Sequence, residues 1–516
     1  MIARRISSID LTPALIVLAA ITSVTLLLHL AVNAINPLGY FRDELYYIVN
    51  ARELAWGYVD HPPLIALITR AVLWIPGDSL LVLRFLPALA GAGSVLLTGL
   101  IARRLGAGAW GVAIASLAML IPPVILATTD FLSTIAFYNF LWILCCYFLL
   151  RLIQSGDERL WLAAGATLGV GLMTKHNIAL LALALAVGAL LTSLRSHVRR
   201  RWLWLGGLAA AVIVLPHLIW QQQNGWPVFE FAHNASTGKG IQVGPVQFLL
   251  EHTLAMSPVT LPVWLAGFVY FFFHAEGKPH RALGYTFLIP FLILLATGSN
   301  RVDYLAPAYA VLMAGGAVMI ERWGRQRLVW LRPAAVVTLA IGGLVMLPGS
   351  LPVLPVGDLA RFTQAVGLAD KPVEQGKTSP LPQWWADRFG WDSMTAATAK
   401  VYNALPEEDH AQAAILTSNY GEAGALEMSQ ETFGSTPIIS GHNTYYLWGT
   451  HGASGEVVIA LGFSQAYLEQ FWGRVEVAGV HVCQYCMDYE NDLPIFVLRE
   501  PHAPLDQIWP EFKHYD

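Results

Sequence analysis

Several charged residues lie beside segments that are apolar and long enough to enter a membrane. An acidic pair, Asp43-Glu44, follows the first such segment, and Asp60-His61 comes shortly after it. Asp130 lies at a similar junction further along the chain. A charged side chain at the centre of a bilayer costs roughly 2.5–3.5 kcal/mol on insertion scales. Residues kept near hydrocarbon despite that cost predict catalysis, ion passage or the binding of a polar ligand.

One reaction that needs such groups is glycosyl transfer from a lipid carrier. A sugar on a polyprenyl phosphate requires cations for the leaving phosphate and a base for the acceptor. We predict that Asp43 is this base, and that displacement from one face inverts the anomeric centre. Glu44 and Asp130 are further catalytic candidates. The residues predicted to bind the donor phosphate or substrate are His61, Lys175 and Arg301. No cofactor is required, although the chemistry is compatible with a divalent metal ion, for which Asp60 is the candidate ligand.

The composition is typical of a polytopic membrane protein. Of the 516 residues, 55% are hydrophobic and only 13% are charged, whereas soluble domains have roughly 25% charged residues. The net charge of −4 gives no basic surface for nucleic acid. Apolar stretches of about 17–25 residues predict an α-helical bundle of about eleven transmembrane helices. They lie near residues 12–34, 81–101, 109–127, 131–150, 160–174, 177–194, 203–220, 245–273, 283–299, 304–320 and 333–354.

Basic residues are concentrated in alternate loops between these stretches. They occur at Arg4-Arg5, Arg103-Arg104, Arg151 with Arg159, 195–201, Lys278 with Arg281, and 322–332. Basic loops remain in the cytoplasm, which predicts a cytoplasmic N-terminus and, with an odd number of spans, an outer segment after about residue 356. This topology also places the candidate site residues on the outer face.

A second domain is predicted where polar residues return, after a proline-rich linker at 348–382. Residues 1–355 form the predicted transmembrane domain, with the catalytic residues in its first outer loop at about 35–80, and residues 356–516 form the outer α/β domain. Short apolar runs predict strands at 413–417, 456–461, 475–478 and 494–498, with helices near 391–404 and 464–472. Two further segments, 418–422 and 440–449, are rich in polar and aromatic groups suited to carbohydrate.

The four cysteines are too few for a disulfide scaffold. Cys145-Cys146 lie within an apolar helix and are interpreted as packing residues. Cys483 and Cys486 form a Cys-x-x-Cys pair in the predicted outer domain, where oxidising conditions favour a disulfide. A structural disulfide or plain packing, a zinc site and a redox pair are the alternatives for it.

The chain also resembles a known family over roughly residues 35–320. The motifs that carry the resemblance are Arg42-Asp-Glu-Leu-Tyr-Tyr47, Tyr58-Val-Asp-His-Pro-Pro63, Thr128-Thr-Asp-Phe131, Gly171-Leu-Met-Thr-Lys175, Pro216-His-Leu-Ile-Trp-Gln-Gln-Gln-Asn-Gly-Trp226 and Arg301-Val-Asp-Tyr-Leu-Ala-Pro307. They are similar to motifs of bacterial GT-C glycosyltransferases of the protein-mannosyltransferase-like group, which includes the lipid A aminoarabinose transferases.

This resemblance implies a polyprenyl-phosphate sugar donor and a periplasm-facing site in the bacterial inner membrane. It also implies that Asp43 is the catalytic aspartate of the first outer loop, that Asp130 is a second acidic position, and that Arg301 and Tyr304 lie near the donor phosphate. The acceptor would be lipopolysaccharide, a lipid, a cell-wall glycan or a protein. Some relatives have lysine at the position of His61, so here the charge near the phosphate depends on protonation of His61 or on a metal.

Each candidate residue also has a structural interpretation. Asp43 and Glu44 suit the N-terminus of a helix, Asp130 could begin the fourth helix, and Lys175 could extend from a helix end to the membrane surface. Asp60 with His61 could fix a turn before the two prolines that follow. The rival functions are an ion-coupled secondary transporter and a membrane-anchored binding protein. A transporter predicts internal repeats and polar residues at depth, which the sequence lacks, and eleven spans exceed what an anchor needs.

Overall fold

The structure is a computed structural model that describes residues 11–75, 79–326, 328–368 and 378–516. The basic pair Arg4-Arg5, Arg327 of the last basic loop and residues 369–377 of the predicted linker lie outside the described residues. The α-helices of the described residues are, in chain order, α1 (Leu11–Ile35), α2 (Arg42–Arg52), α3 (Leu64–Leu73), α4 (Leu80–Arg104), α5 (Ala109–Leu120), α6 (Pro123–Thr128), α7 (Thr134–Ser155), α8 (Leu160–Leu172), α9 (Ala179–Leu190), α10 (Arg201–Gln223), α11 (Pro227–Asn234), α12 (Pro245–Ala255), α13 (Leu261–Phe272), α14 (Arg281–Thr297), α15 (Tyr309–Gln326), α16 (Leu331–Ser350), α17 (Val356–Ala365), α18 (Gln383–Ala386), α19 (Trp391–Asn403), α20 (Glu407–His410), α21 (Tyr420–Met428), α22 (Thr444–Trp448), α23 (Gln465–Leu468) and α24 (Leu505–Ile508).

The chain divides into two compact units, each built from separate segments. Among the described residues, the helical unit comprises those up to Pro37, Leu81–Leu218 and Gln242–Val353. The α/β unit comprises Leu38–Leu80, Ile219–Ile241 and Leu354–Asp516. The predicted first outer loop therefore belongs to the same compact unit as the predicted C-terminal domain.

Six helices of the described residues are long and apolar enough to cross a membrane. They are Pro13–Ile35, Leu80–Arg104, Thr134–Ser155, Arg201–Gln223, Lys278–Thr297 and Leu331–Ser350. Two bent helix pairs, beginning at His176 and Pro245, raise the number to eight if each pair is one span. The protein is thus a mostly helical multi-pass membrane protein, and the count of eleven remains a prediction. Of the other predicted spans, 109–127 is broken between α5 and α6, and 160–174 forms the short helix α8.

Within the helical unit, α13 and α15 pack closely because glycines line their contact. A Cβ atom on Gly267 would lie 1.8 Å from the Leu312 carbonyl oxygen, and one on Gly316 would lie 1.8 Å from the Val263 carbonyl oxygen. Small residues permit such backbone approach between membrane helices, where packing rather than the hydrophobic effect drives association.

The α/β unit contains a five-stranded mixed sheet. Its strands are β1 (Ala413–Thr417), β2 (Ile438–Ser440), β3 (Val457–Leu461), β4 (Trp472–His481) and β5 (Leu493–Pro501). The spatial order is β2-β1-β3-β5-β4. The first three strands are parallel, and β5 pairs antiparallel with both β3 and β4. The predicted α/β domain is therefore confirmed as a small sheet domain.

The sheet core explains which strands the sequence reveals. All residues of β1 and β3 are buried, and residues such as Leu416, Val458 and Trp472 pack in one apolar cluster. Fully buried strands give continuous apolar runs that are visible in a sequence. The three-residue strand β2 has no predicted counterpart, and the helix predicted near 464–472 is the four-residue helix α23.

Candidate active site

Asp43 and Glu44 begin α2 but have different environments. The Glu44 carboxylate accepts a hydrogen bond from the Phe41 backbone N–H at 2.8 Å, and Glu44 is fully buried. Glu44 therefore caps its own helix, which satisfies one of the unpaired amides at a helix start. The Asp43 side chain is 30% exposed, lies 3.9 Å from Arg42 Nε and accepts a hydrogen bond from the Tyr420 hydroxyl at 2.8 Å. Of the two carboxylates, Asp43 is the accessible one.

Asp60 lies in the same unit and is held by a tyrosine of α2. The Tyr46 hydroxyl donates to Asp60 Oδ1 at 2.9 Å and lies 2.7 Å from the Thr444 hydroxyl. The Val59 backbone N–H donates to that threonine oxygen at 3.0 Å. Burial raises the pKa of Asp60 above its ordinary value, although the hydrogen bond from Tyr46 opposes the rise.

His61 is buried among tyrosines, and its two ring nitrogens are both engaged. Nδ1 lies 2.9 Å from the Pro62 carbonyl oxygen and Nε2 lies 3.0 Å from Asn50 Nδ2. Since a carbonyl can only accept, Nδ1 carries the proton and Nε2 accepts from the Asn50 amide. The ring is stacked on Tyr58 at 4.7 Å. In this arrangement His61 has a structural role in fixing the loop.

The candidate cations lie in the helical unit, where they share one carboxylate. Lys175 follows α8, and its Nζ lies 3.1 Å from Asp303 Oδ2. Arg301 Nε lies 3.0 Å from Asp303 Oδ1. Both cations also lie over the Tyr304 ring, with Lys175 at 4.9 Å and Arg301 at 5.0 Å from its centroid. Burial tends to raise the pKa of Asp303, but Arg301 and Lys175 outweigh it and hold the pKa below its ordinary value. The sequence motif contained Asp303, yet only the structure reveals its position between the two cations.

Asp130 is also in the helical unit and is completely buried. Asn33 Nδ2 of α1 donates to the Asp130 backbone carbonyl at 3.1 Å and to its Oδ1 at 3.0 Å. His29 Nδ1 lies 3.7 Å from the same carboxylate oxygen. Arg84 of α4 donates to Asn33 Oδ1 at 3.0 Å. These contacts tie the segment after α6 to α1, so Asp130 has a structural role beside its predicted catalytic one.

One group of metal-ligating side chains is found in the described ranges, namely His442, His514 and Asp516, whose ligand atoms lie within 4.8 Å of one another. The Tyr420 backbone N–H donates to His442 Nδ1 at 3.3 Å, so the imidazole proton lies on Nε2 and is donated to the Asp516 backbone carbonyl at 2.9 Å. A neutral histidine binds metal through its unprotonated nitrogen, and in this tautomer that nitrogen is occupied. The candidate ligand Asp60 is not part of this group.

Cys483 and Cys486 lie together as thiols in the loop after β4. The Cys486 side chain hydrogen-bonds to Cys483, which lowers the pKa of Cys483 to about 6. Gly390 packs against the pair, since a Cβ there would lie 3.2 Å from Cys483 Sγ. A low pKa marks a reactive cysteine, and the disulfide, metal and redox interpretations remain predictions.

Two further residues of the α/β unit belong to this network: Tyr420 donates to Asp43, and Thr444 shares the Tyr46 hydroxyl with Asp60. Tyr420 follows β1 and Thr444 follows β2, and these parallel strands are in register with Thr417 beside Ser440. Carboxyl ends of parallel strands meet at one edge of a sheet, which is a common location for functional side chains. The sequence signal was the polar and aromatic composition of 418–422 and 440–449, which did not identify individual residues.

Comparison with known proteins shows which proteins this chain is similar to. Residues 60–220 match the sequence model of the family described as dolichyl-phosphate-mannose-protein mannosyltransferase. The fold is shared with ArnT from Cupriavidus metallidurans bound to undecaprenyl phosphate, at a TM-score of 0.59 and 16% identity over 95% of this chain and 98% of that chain. The apo structure of the same protein gives a TM-score of 0.61 over 94% of this chain. The chain is therefore similar to membrane glycosyltransferases of the protein-mannosyltransferase group and has the fold of ArnT, and the resemblance predicted from the motifs is confirmed.

Two particular relatives extend this result. The chain is 30% identical over 292 residues to the lipopolysaccharide core galacturonosyltransferase RgtB of Rhizobium johnstonii. That match covers 54% of this chain and 56% of the relative, so the chain spans little more than half the length of the relative. The archaeal oligosaccharyltransferase AglB from Archaeoglobus fulgidus, in complex with an inhibitory peptide and a dolichol-phosphate, shares the fold at a TM-score of 0.53 and 13% identity, over 86% of this chain and 69% of that chain.

Proposed function

We propose that this protein is a membrane glycosyltransferase that transfers a sugar from a polyprenyl-phosphate donor to an acceptor outside the inner membrane. The observation that carries the proposal is the placement of Asp43, whose accessible carboxylate stands beside the buried cap Glu44. The galacturonosyltransferase relative and the polyprenyl or dolichyl phosphates bound to proteins of the same fold support the donor class.

In the proposed reaction, Asp43 accepts the proton of an acceptor hydroxyl or amine as that group attacks the anomeric carbon. The bond between the anomeric carbon and the phosphate oxygen breaks, and polyprenyl phosphate leaves with the bonding electrons. Lys175 and Arg301 stabilise the charge on the leaving phosphate. Their two positive charges face the single carboxylate of Asp303, so the cluster retains a net charge that attracts an anion. Attack from the face opposite the leaving group inverts the anomeric centre.

The remaining predicted residues have supporting roles in this proposal. Glu44 sets the start of α2, Asp130 anchors the segment that follows α6, and Tyr304 packs beside the two cations. No cofactor is needed, and Asp60 is the candidate ligand if a divalent ion takes part. We also propose the topology of eleven spans with a cytoplasmic N-terminus and a periplasmic α/β unit. Lipopolysaccharide, a lipid, a cell-wall glycan and a protein are the acceptor classes to test.

Mass spectrometry of lipids that co-purify with the protein tests the proposal. The wild-type protein and Asp43→Asn should both retain a polyprenyl phosphate carrying a sugar, because the substitution removes a base and little volume. Transfer to an envelope extract should be lost in Asp43→Asn and kept in Asp392→Asn, a control at an exposed aspartate. Full transfer by Asp43→Asn would refute the role of Asp43. Absence of any sugar lipid, together with failure to bind added polyprenyl phosphate, would favour a transporter.

A further inference from the structure

We propose that Tyr420 is a positioning residue that orients the Asp43 carboxylate, so that the C-terminal α/β segment completes the site of the first loop. This inference rests on the proposed function of Asp43. The contact joins residues 377 positions apart in the chain, both within the α/β unit. It gives the C-terminal segment a role in the reaction itself rather than only in the binding of an acceptor or partner.

The backbone of Tyr420 is fixed by the start of α21. The Asn419 side chain accepts hydrogen bonds from the N–H groups of Gly421 and Glu422 at 2.9 and 3.0 Å. Glu422 reciprocates by accepting from the Asn419 N–H, which completes a capping box. Asn419 Nδ2 also donates to Glu490 Oε1 at 3.0 Å. Tyr420 is therefore the first residue of a helix whose origin is tied to the end of β1 and to a second loop.

The ring of Tyr420 is fixed as well as its backbone. It stacks on the Tyr46 ring with the two ring centroids 4.6 Å apart. The centroid of the His442 ring, in the segment after β2, lies 4.7 Å from that of Tyr420. The Arg42 guanidinium lies 5.3 Å from the ring centroid. Only 8% of Tyr420 is exposed. Burial raises the pKa of Tyr420 well above its ordinary value, so the hydroxyl stays protonated and remains a donor.

This donor determines which oxygen of Asp43 can act as the base. The Tyr420 hydroxyl occupies Oδ1, and no hydrogen bond from the described residues reaches Oδ2. A hydrogen bond to one oxygen fixes the rotation of the carboxylate. The other charged groups found near Asp43 among the described residues are Arg42 on α2 and Asp60 in the following loop. Tyr420 is the neighbour that donates a hydrogen bond directly to the carboxylate.

Tyr420→Phe removes only the hydroxyl and tests this inference. With the co-purified sugar lipid as donor and an envelope extract as acceptor, we expect kcat to fall about tenfold, the size of one hydrogen bond to a charged group. KM for the donor should change less than about twofold, because the hydrogen bond that is lost is made to Asp43, the proposed base for the acceptor. Tyr402→Phe is the matched control, since its hydroxyl also makes hydrogen bonds in this unit, to Phe433 and Thr436.

The outcomes separate this inference from the function on which it rests. An unchanged kcat in Tyr420→Phe would overturn the positioning role, and so would a loss equal to that of Tyr402→Phe with a matching fall in Tm. Full transfer by Asp43→Asn would instead overturn the proposed function. A lower kcat with an unchanged donor KM, in a protein of unchanged Tm, would support Tyr420 as the residue that orients Asp43.

Discussion

At the scale of single residues, ionisable groups in similar sequence positions have different surroundings. Glu44 accepts the hydrogen bond that caps its helix, whereas the Asp43 side chain is partly exposed. Lys175 is neither a free cation nor only a membrane anchor, because it forms an ion pair with Asp303 and packs over Tyr304. Asp303 thus holds Lys175 in one position, which lowers the entropy lost when the amine binds a phosphate.

Lys175→Met should weaken donor binding while keeping the apolar stem of the side chain. Loss of a charge-assisted contact to phosphate corresponds to an increase of about tenfold in Kd for undecaprenyl phosphate. Binding can be measured by microscale thermophoresis in detergent, with Lys278→Met, an exposed lysine, as the control. Equal affinity in wild type and Lys175→Met would restrict Lys175 to its ion pair.

At the scale of elements, the contact between α2 and α21 positions the candidate base. A Cβ atom on Gly421 would lie 2.5 Å from Arg42 Cγ, and one on Gly424 would lie 3.0 Å from Leu45 Cβ. Arg52 at the end of α2 donates to the Glu427 backbone carbonyl at 3.3 Å. The two glycines let the helices approach, and this approach allows Tyr420 to reach Asp43.

Gly424→Ala should lower transfer more than it lowers stability. Alanine gains about 1 kcal/mol of helix propensity over glycine, which offsets part of a crowding cost of about 1–3 kcal/mol. The added methyl pushes α2 away from α21, so activity should fall several-fold while Tm changes by only a few degrees. Gly238→Ala is the control, because no atom lies within 4 Å of a Cβ there. Equal activity in the two variants would show that the helix spacing is not critical.

Stability of the same helix should depend on the protonation of Glu427. Burial raises the pKa of Glu427 from 4.5 to about 7. When the pKa of an acid is higher in the folded protein than in the unfolded chain, the protonated acid stabilises the folded state. This contribution is complete at pH values below the unfolded pKa and is lost as the pH rises through the folded pKa. Wild type should therefore lose Tm between pH 5 and pH 8 relative to Glu427→Gln. Parallel Tm curves for the two proteins would contradict this assignment.

At the scale of the whole molecule, the chain combines a helical membrane unit with an α/β unit assembled from three segments. The α/β unit draws on residues 38–80 and 219–241 as well as on the C-terminal part of the chain. It is therefore not a module that begins at one point in the sequence. All of its segments must be on the same side of the membrane, which constrains the topology.

Reporter fusions test that constraint together with the proposed orientation. An alkaline phosphatase or fluorescent reporter after Arg201 should report the cytoplasm, because this loop is rich in basic residues. Reporters after residues 57, 230 and 360 should all report the periplasm, because these positions lie in the α/β unit. A cytoplasmic signal from any one of the three would contradict the topology, and reversal of all signals would invert the proposed orientation.

The sequence by itself determined the membrane class, the family resemblance and the long buried strands, because hydrophobic runs and local motifs record them directly. It also pointed to Asp43, Lys175 and Arg301 as the groups able to do chemistry. Only the tertiary structure decided that Glu44 is a cap, that Asp303 joins the two cations, and that Tyr420 donates to Asp43. These contacts depend on side-chain direction or on chain segments far apart, whereas spacing along the sequence fixes only the local helix or strand. The sequence did not predict the three-residue strand β2 for a related reason. Its pairing with β1, and not its own composition, makes it a strand.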